Sequence, residues 1–159
     1  MQKIITNFSG EYAFLSNFYP CILHYDGYTF TSSEHAFQAA KAADAYTKQL
    51  IAEAETPGKA KRIGRRCQMR QNWELIKDQI MLDILRQKFA PGTVLAEKLD
   101  KTGDAILVEG NNWHDNYWGS CTCDKCKNDG LNVLGQLLIK VRDENRGTAT
   151  TEENIEKLP

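Results

Sequence analysis

Thr31-Ser32-Ser33-Glu34-His35-Ala36-Phe37-Gln38-Ala39-Ala40-Lys41 follows directly on an alternating stretch, Ile22 to Tyr25, Asp26-Gly27, then Tyr28 to Phe30. Asp-Gly between two apolar-polar runs is a type I′ hairpin signal, because both turn positions need φ > 0. The change from a two-residue to a helical period at Thr31 sets a hairpin against a helix. Thr31 and Glu34 have capping-box spacing, and the Ala-rich run from Ser33 to Tyr46 contains no Gly or Pro, so a helix is expected there. Helical sequence continues to Ala54, and Pro57-Gly58 interrupts it.

Working outward, Ile4 to Phe8 is an expected strand and Pro57 to about Arg66 a short basic helix. Asn72 can cap a long helix over about 73–89, with Trp73, Ile76, Ile80, Ile84 (or Met81, Leu85) and Phe89 recurring at steps of three and four. After Pro91-Gly92 come a helix from Val94 to Leu99, a strand from Ala105 to Glu109 and a loop from Gly110 to Gly130. A final helix is expected from Leu131 to about Glu144, with Leu134, Leu137, Leu138 and Val141 inward. The fold class expected is α+β, a mainly α-helical single domain with a small antiparallel β-sheet. The domain is expected over 1–146, followed by an acidic, disordered tail over 147–159.

A chain of 159 residues suits one domain of the usual size, about 100–200 residues. No apolar run is long enough for a membrane span, and the N-terminus has no signal-peptide pattern. A cytoplasmic location is expected. The net charge of −1 conceals an uneven distribution: residues 143–159 carry −3 and residues 1–142 carry +2. Within the body, Lys59, Lys61, Arg62, Arg65, Arg66 and Arg70 form a positive run that no acid interrupts. The near-neutral total excludes only a uniformly basic chain that would coat nucleic acid nonspecifically.

Glu34, Gln38 and Lys41 fall at i, i+4 and i+7, on one face of their helix. Such a stripe can simply face solvent, with Glu34 serving as a capping acid. It can also place a carboxylate and an amine together for acid–base or nucleophilic chemistry. Lys59, Arg62 and Arg66 likewise share a face, with Arg65 adjoining. Arginine's planar fork of donors matches phosphate oxygens, whereas a solvated basic helix has the same composition. No GxxxxGKS/T, GxGxxG before a helix, HExxH or GxSxG pattern occurs, so no phosphate loop, dinucleotide fold, zinc-protease or serine-elbow reading applies.

The 21-residue segment from Gly110 to Gly130 is long for a loop in a compact domain and carries Trp113, His114, Asp115, Tyr117 and Trp118. Aromatic rings beside a carboxylate suit a ring-shaped polar ligand, or they pin the loop to the body. Five cysteines without a secretory signal argue against a disulfide framework. Cys121, Cys123 and Cys126 could hold zinc with a fourth ligand such as Cys67 or His114. The second CxxC pair of a strong zinc signal is absent, and no metal or other cofactor is expected.

These residues together resemble a known family. Phe14 to Phe18, Asp26-Gly27, Thr31 to Lys41, Gly64-Arg65, Asn72-Trp73, Lys88-Phe89, Asn112 to Gly119 and Gly130 to Gly135 resemble the blocks of the NADAR family, the YbiA-like N-glycosidases, over about residues 4–142. The resemblance implies a hydrolase that cleaves the bond between ribose C1 and a nitrogen. Two substrate classes go with it: ADP-ribose attached to guanine bases, including in DNA, and phosphoribosylamino-pyrimidine intermediates of riboflavin biosynthesis. It implies Glu34, Lys41 and Asp115 as catalytic residues. Asn17, Phe18, Gln38, Arg62, Arg65, Trp113, Trp118 and Gly119 are implied as substrate-binding, the two arginines toward phosphate and the two tryptophans toward the base or ribose. The partner is then a ribose-phosphate or ADP-ribose ligand, with ADP-ribosylated DNA as a possible larger substrate. The competing expectation is a module that binds ADP-ribose or a nucleotide without cleaving it.

Overall fold

Asp26 and Gly27 adopt φ of 53° and 82°, the left-handed pair that a type I′ turn requires. They join β2 to β3, so the chain from its start to this hairpin reads β1 (Ile4–Ile5), a 3-10 helix at Gly10–Leu15, β2 (Pro20–Tyr25) and β3 (Tyr28–Ser32). There follow α1 (Ser33–Lys41), α2 (Ala45–Ala52), α3 (Pro57–Arg66), α4 (Trp73–Lys88), α5 (Val94–Asp100), β4 (Ile106–Leu107), β5 (Gly110–Asn111), β6 (Ser120–Cys121) and α6 (Val133–Glu156). The computed structural model describes residues 1–156, with side chains described to Gly147. The α+β class, mainly helical with a small antiparallel sheet, holds. β2 and β3 form that antiparallel pair, while β1–β4 and β5–β6 are short parallel pairs. Among the described residues no helix is long and apolar enough to cross a membrane.

Contacts group the chain into two compact units, Ser16–Lys88 and Met1–Leu15 with Phe89–Pro159. In the first, α1 packs against α2, α3, α4 and both hairpin strands. Its N-cap is Ser32, one residue after the expected Thr31: Ser32 Oγ accepts the His35 amide at 3.1 Å. The same hydroxyl lies 2.6 Å from His35 Nδ1, and Nε2 lies 2.9 Å from the Ala54 carbonyl. Both ring nitrogens of His35 are thus engaged and the ring is buried. The expected single helix from Ser33 to Tyr46 is two helices. Ala42 turns extended and bridges Met69, and Asp44 caps α2 through the Thr47 amide at 2.8 Å. Leu23, Phe30, Phe37, Ile51, Trp73, Met81, Ile84 and Leu85 form the core of this unit. Lys88, buried at the end of α4, donates to the Ser16 carbonyl at 2.8 Å, and burial pushes its pKa down to about 8.

In the second unit Ile5, Phe14, Leu15, Phe89, Leu99, Leu107, Leu134 and Leu138 are buried. The strand expected over Ile4 to Phe8 is only Ile4–Ile5, and that expected from Ala105 to Glu109 is only Ile106–Leu107; they pair with each other in parallel. The final helix does not stop near Glu144. It runs to Glu156, so residues 147–156, expected as a disordered tail, are helical; residues 157–159 lie outside the described residues. The stretch from Thr148 to Glu156 contains no proline and is mostly Glu, Thr and Ala, so nothing in it terminates a helix already running.

Candidate functional site

α1 carries the main cluster, and its distinguishing property is burial on every side. All of Ser33 to Ala40 is buried, including Glu34 at 8% exposure and Gln38 at 6%. The polar stripe therefore faces protein, and the solvent-facing alternative is excluded for Glu34 and Gln38. Gln38 Nε2 donates to Glu34 Oε1 at 2.9 Å. Burial pushes the Glu34 carboxyl above its ordinary 4.5; the Gln38 hydrogen bond and the charges of Lys61, Lys41 and His35 pull it back only in part. Lys41, half-buried at the helix end, is driven below its ordinary 10.5 chiefly by burial. Cys67 and Glu34 oppose that shift, while the cations of Arg65 and Lys61 reinforce it. Carboxyl and amine are thus both moved toward their neutral forms, the direction that suits proton transfer or nucleophilic attack.

Two further groups position this pair. Asn17 is buried, its carbonyl accepts the Glu34 amide at 3.0 Å, and its Oδ1 accepts from Ser33 Oγ at 2.9 Å. It fastens the first turn of α1. Phe18, expected with it in the site, is 45% exposed, and Lys61 Nζ stands 5.9 Å from its ring centre. On α3, Ala60 and Gly64 face inward. A Cβ at Gly64 would fall 1.9 Å from Gln38 Oε1 and 2.7 Å from Cδ, so α3 seats itself on α1 through the missing side chain. Replacing Gly64 by Ala should push the Gln38 amide off Glu34. We expect turnover to fall at least tenfold, with helical circular dichroism preserved, as checked by paired activity and spectral measurements.

Arg65 sits on the Lys41 side of α3 and is exposed; Arg62 is exposed too and does not figure among the charges acting on Glu34 or Lys41. Lys61, absent from the sequence-based site, acts on both. It lies one turn before Arg65, and that i, i+4 pair was legible beside the inward Gly64. Lys59 is paired with Glu55 at 2.6 Å and so belongs to a solvent-facing ion pair.

In the second unit, the expected loop residues form a polar lattice. Asn111 Oδ1 accepts the Asp115 amide at 3.1 Å and its Nδ2 donates to the Asp115 carbonyl at 2.8 Å. Asp115 Oδ1 in turn accepts the amides of Tyr117 and Trp118 at 3.2 and 3.0 Å. That is an Asx turn, so Asp115 has a structural task in its own loop. Trp118 packs edge-on against Tyr117, with ring centres 4.9 Å apart, and Trp113 is 57% exposed. Gly119 is buried where a Cβ would meet the Glu109 carbonyl at 2.2 Å, which gives it a packing role. Farther along, His114, Cys121, Cys123 and Cys126 bring four potential metal-ligand atoms within 4.8 Å of one another.

A buried carboxyl and a half-buried lysine on one helix, both acted on by cations of α3, are an arrangement able to do acid–base or nucleophilic chemistry. The chain belongs to the NADAR domain family, whose model matches residues 6–146. It is 40% identical over 141 residues to N-glycosidase Npun_R5314 of Nostoc punctiforme, covering 85% of this chain and 86% of that one. N-glycosidase YbiA of Escherichia coli K12 is 38% identical over 149 residues, covering 91% and 90%. Riboflavin biosynthesis protein VVA0006 of Vibrio vulnificus is 38% identical over 136 residues; the match takes in 84% of this chain but 36% of that longer protein. The NMR structure of the E. coli protein YbiA superposes with a TM-score of 0.78 at 35% identity, covering all of this chain and 92% of that one.

Proposed function

We propose that this protein is an N-glycosidase that hydrolyses a ribose C1–N bond in a phosphate-bearing substrate, with Glu34 and Lys41 at the anomeric carbon. The observation that carries the reading is the buried Glu34 carboxyl beside a half-desolvated Lys41, under the cations of α3. As the bond from C1 to nitrogen breaks, the electron pair leaves with the nitrogen and C1 gains oxocarbenium character. A carboxylate held in a low-dielectric setting stabilises that charge strongly. Lys41, as a neutral amine, then adds to C1; the C1–ring-oxygen bond breaks, a proton passes from the new ammonium to the ring oxygen, and the ring-opened protonated imine is hydrolysed by water to free ribose and free amine; alternatively Glu34 activates water directly and Lys41 orients the ribose hydroxyls. Arg65 and Lys61 are the phosphate contacts. The names of the relatives support N-glycoside cleavage and, through the Vibrio protein, the riboflavin-intermediate class; ADP-ribose on guanine is the other class. Five free cysteines fit a reducing compartment, and the reading includes a cytoplasmic location.

Incubation with a phosphoribosylamino-pyrimidine and with ADP-ribosylated guanine DNA, resolved by product mass, tests the reading. Release of the base from either supports it and assigns the substrate class. Binding of both with cleavage of neither leaves a non-catalytic binding module instead. A second expected outcome concerns the phosphate contact. Arg65→Gln should raise KM about 10- to 100-fold, the worth of a charge-assisted hydrogen bond, and change kcat far less. Because the Arg65 cation lowers the Lys41 pKa, the same variant should displace the rising limb of the pH profile to higher pH. A loss in kcat alone, with KM unmoved, would remove Arg65 from the phosphate role.

A further inference from the structure

We infer that His114, Cys121, Cys123 and Cys126 form a structural zinc site that fastens the segment between β5 and α6. His114 Nδ1 lies 3.4 Å from Cys126 Sγ, 3.5 Å from Cys123 Sγ and 3.8 Å from Cys121 Sγ. One imidazole nitrogen offers a single lone pair or a single N–H, so it satisfies one such partner by hydrogen bonding, not three. A shared ion explains all three separations. With Zn–S of about 2.3 Å and Zn–N of about 2.1 Å in a tetrahedron, nitrogen and sulfur sit about 3.6 Å apart. The three observed values bracket that figure, and all four ligand atoms lie within 4.8 Å of one another.

The backbone is shaped to hold this arrangement. Cys123 Sγ accepts the Cys126 amide at 3.4 Å, an N–H to sulfur bond that favours the thiolate. The chain then reverses: Lys127 N–H bonds the Cys123 carbonyl at 2.8 Å and Asn128 N–H the Cys121 carbonyl at 2.9 Å. Lys127 and Asn128 both take left-handed φ, 55° and 58°, to make that turn. His114 is itself left-handed, at φ 68°, a conformation that a β-carbon disfavours and that aims its ring at the sulfurs. Cys121 is fully buried in β6, and its amide donates to Asn116 Oδ1 at 2.9 Å. These second contacts fix the ligands' orientation, as supporting hydrogen bonds do around protein metals. Three thiolates and one imidazole suit zinc over calcium or magnesium, and four protein ligands make a closed, structural site. Ion entry releases the thiol protons to solvent and leaves the site at one net negative charge, beside Lys125 and Lys127.

Metal analysis of the reduced, purified full-length protein, after zinc addition and dialysis, tests the inference. We expect about one zinc per chain, retained in Cys21→Ser and Cys67→Ser and lost in Cys123→Ser and His114→Ala. Since a ligand variant could misfold, cobalt substitution of the unmodified protein gives a second readout: intense tetrahedral d–d bands with thiolate-to-cobalt charge transfer. Chelation should then expose residues 112–130 to protease while the helical spectrum persists. Absence of bound zinc, full zinc content in Cys123→Ser, or cobalt binding without thiolate charge transfer would each overturn the site.

Discussion

Replacing Lys41 by Ala should lower kcat/KM by about 10²–10⁴-fold, the usual worth of a proton-transferring or nucleophilic group, with little change in thermal stability. Lys41 lies in the last turn of α1, is half-buried, and among the described residues its ammonium makes no hydrogen bond or ion pair. Its contribution to the fold reduces to a favourable charge at a helix C-terminus, about 0.3–1 kcal/mol. A lysine that is driven below its ordinary 10.5 by burial and is reinforced there by Arg65 and Lys61 is instead suited to work as a neutral amine. The sign follows: the neutral fraction grows as pH rises, and a lowered pKa brings that growth to lower pH than for a free lysine. Activity should therefore rise along an alkaline limb that disappears in Lys41→Ala. Lys41→Arg keeps the charge without a titrating amine, so rescue by Arg would reduce Lys41 to a counter-charge. Near wild-type turnover in Lys41→Ala would remove it from the reaction altogether.

Glu34→Gln should also lose about 10²–10⁴-fold in turnover, but with stability unchanged or increased. The carboxyl is 8% exposed and its charged form is penalised by burial. An amide of the same shape avoids that penalty and keeps an acceptor for Gln38 Nε2. Because the folded-state pKa of Glu34 is raised above 4.5, the folded chain holds the proton that the unfolded chain has released, so stability falls as pH rises through that window. Glu34→Gln should erase this fall. The Tm difference between variant and wild type should open as pH is raised from 4.5, by about 2–4 °C for each kcal/mol in a chain of this length. Equal melting curves at all pH values, or a destabilised variant, would mean that Glu34 is retained for structure.

Much of the fold was legible because local chemistry and tertiary context agreed. Asp26-Gly27 turned as its φ demands, and Pro57 to Arg66 formed α3. The errors fall where one residue had a neighbour not visible in sequence. Thr31 lost the cap to Ser32 because Ser32 could also reach His35 Nδ1. The Ala-rich run broke at Ala42 because Met69 and Gln68 offered it extended pairing. In the cluster, helical spacing put Glu34, Gln38 and Lys41 on one face but could not say whether that face met water or α3. Lys61, which acts on Glu34 and Lys41, was not picked out beside Arg62 and Arg65 because composition alone does not orient a helix; Gly64, the residue that lets α3 approach Gln38, was the available signal. For Asp115, implied as catalytic by the resemblance, sequence could not show that its Oδ1 also accepts the amides of Tyr117 and Trp118. Of the two fourth ligands the sequence offered beside the three cysteines, Cys67 and His114, it is His114 that lies with them, through a left-handed backbone.

Single-turnover cleavage of the substrate that wild type accepts, run in parallel with Glu34→Gln and Lys41→Ala and read by product mass, tests the assignment of the reaction to α1 most directly. Wild type should release the free base and a ribose phosphate, and neither variant should do so on the same timescale while both still bind the substrate. Intact substrate recovered from wild type, or equal cleavage by all three proteins, would contradict it.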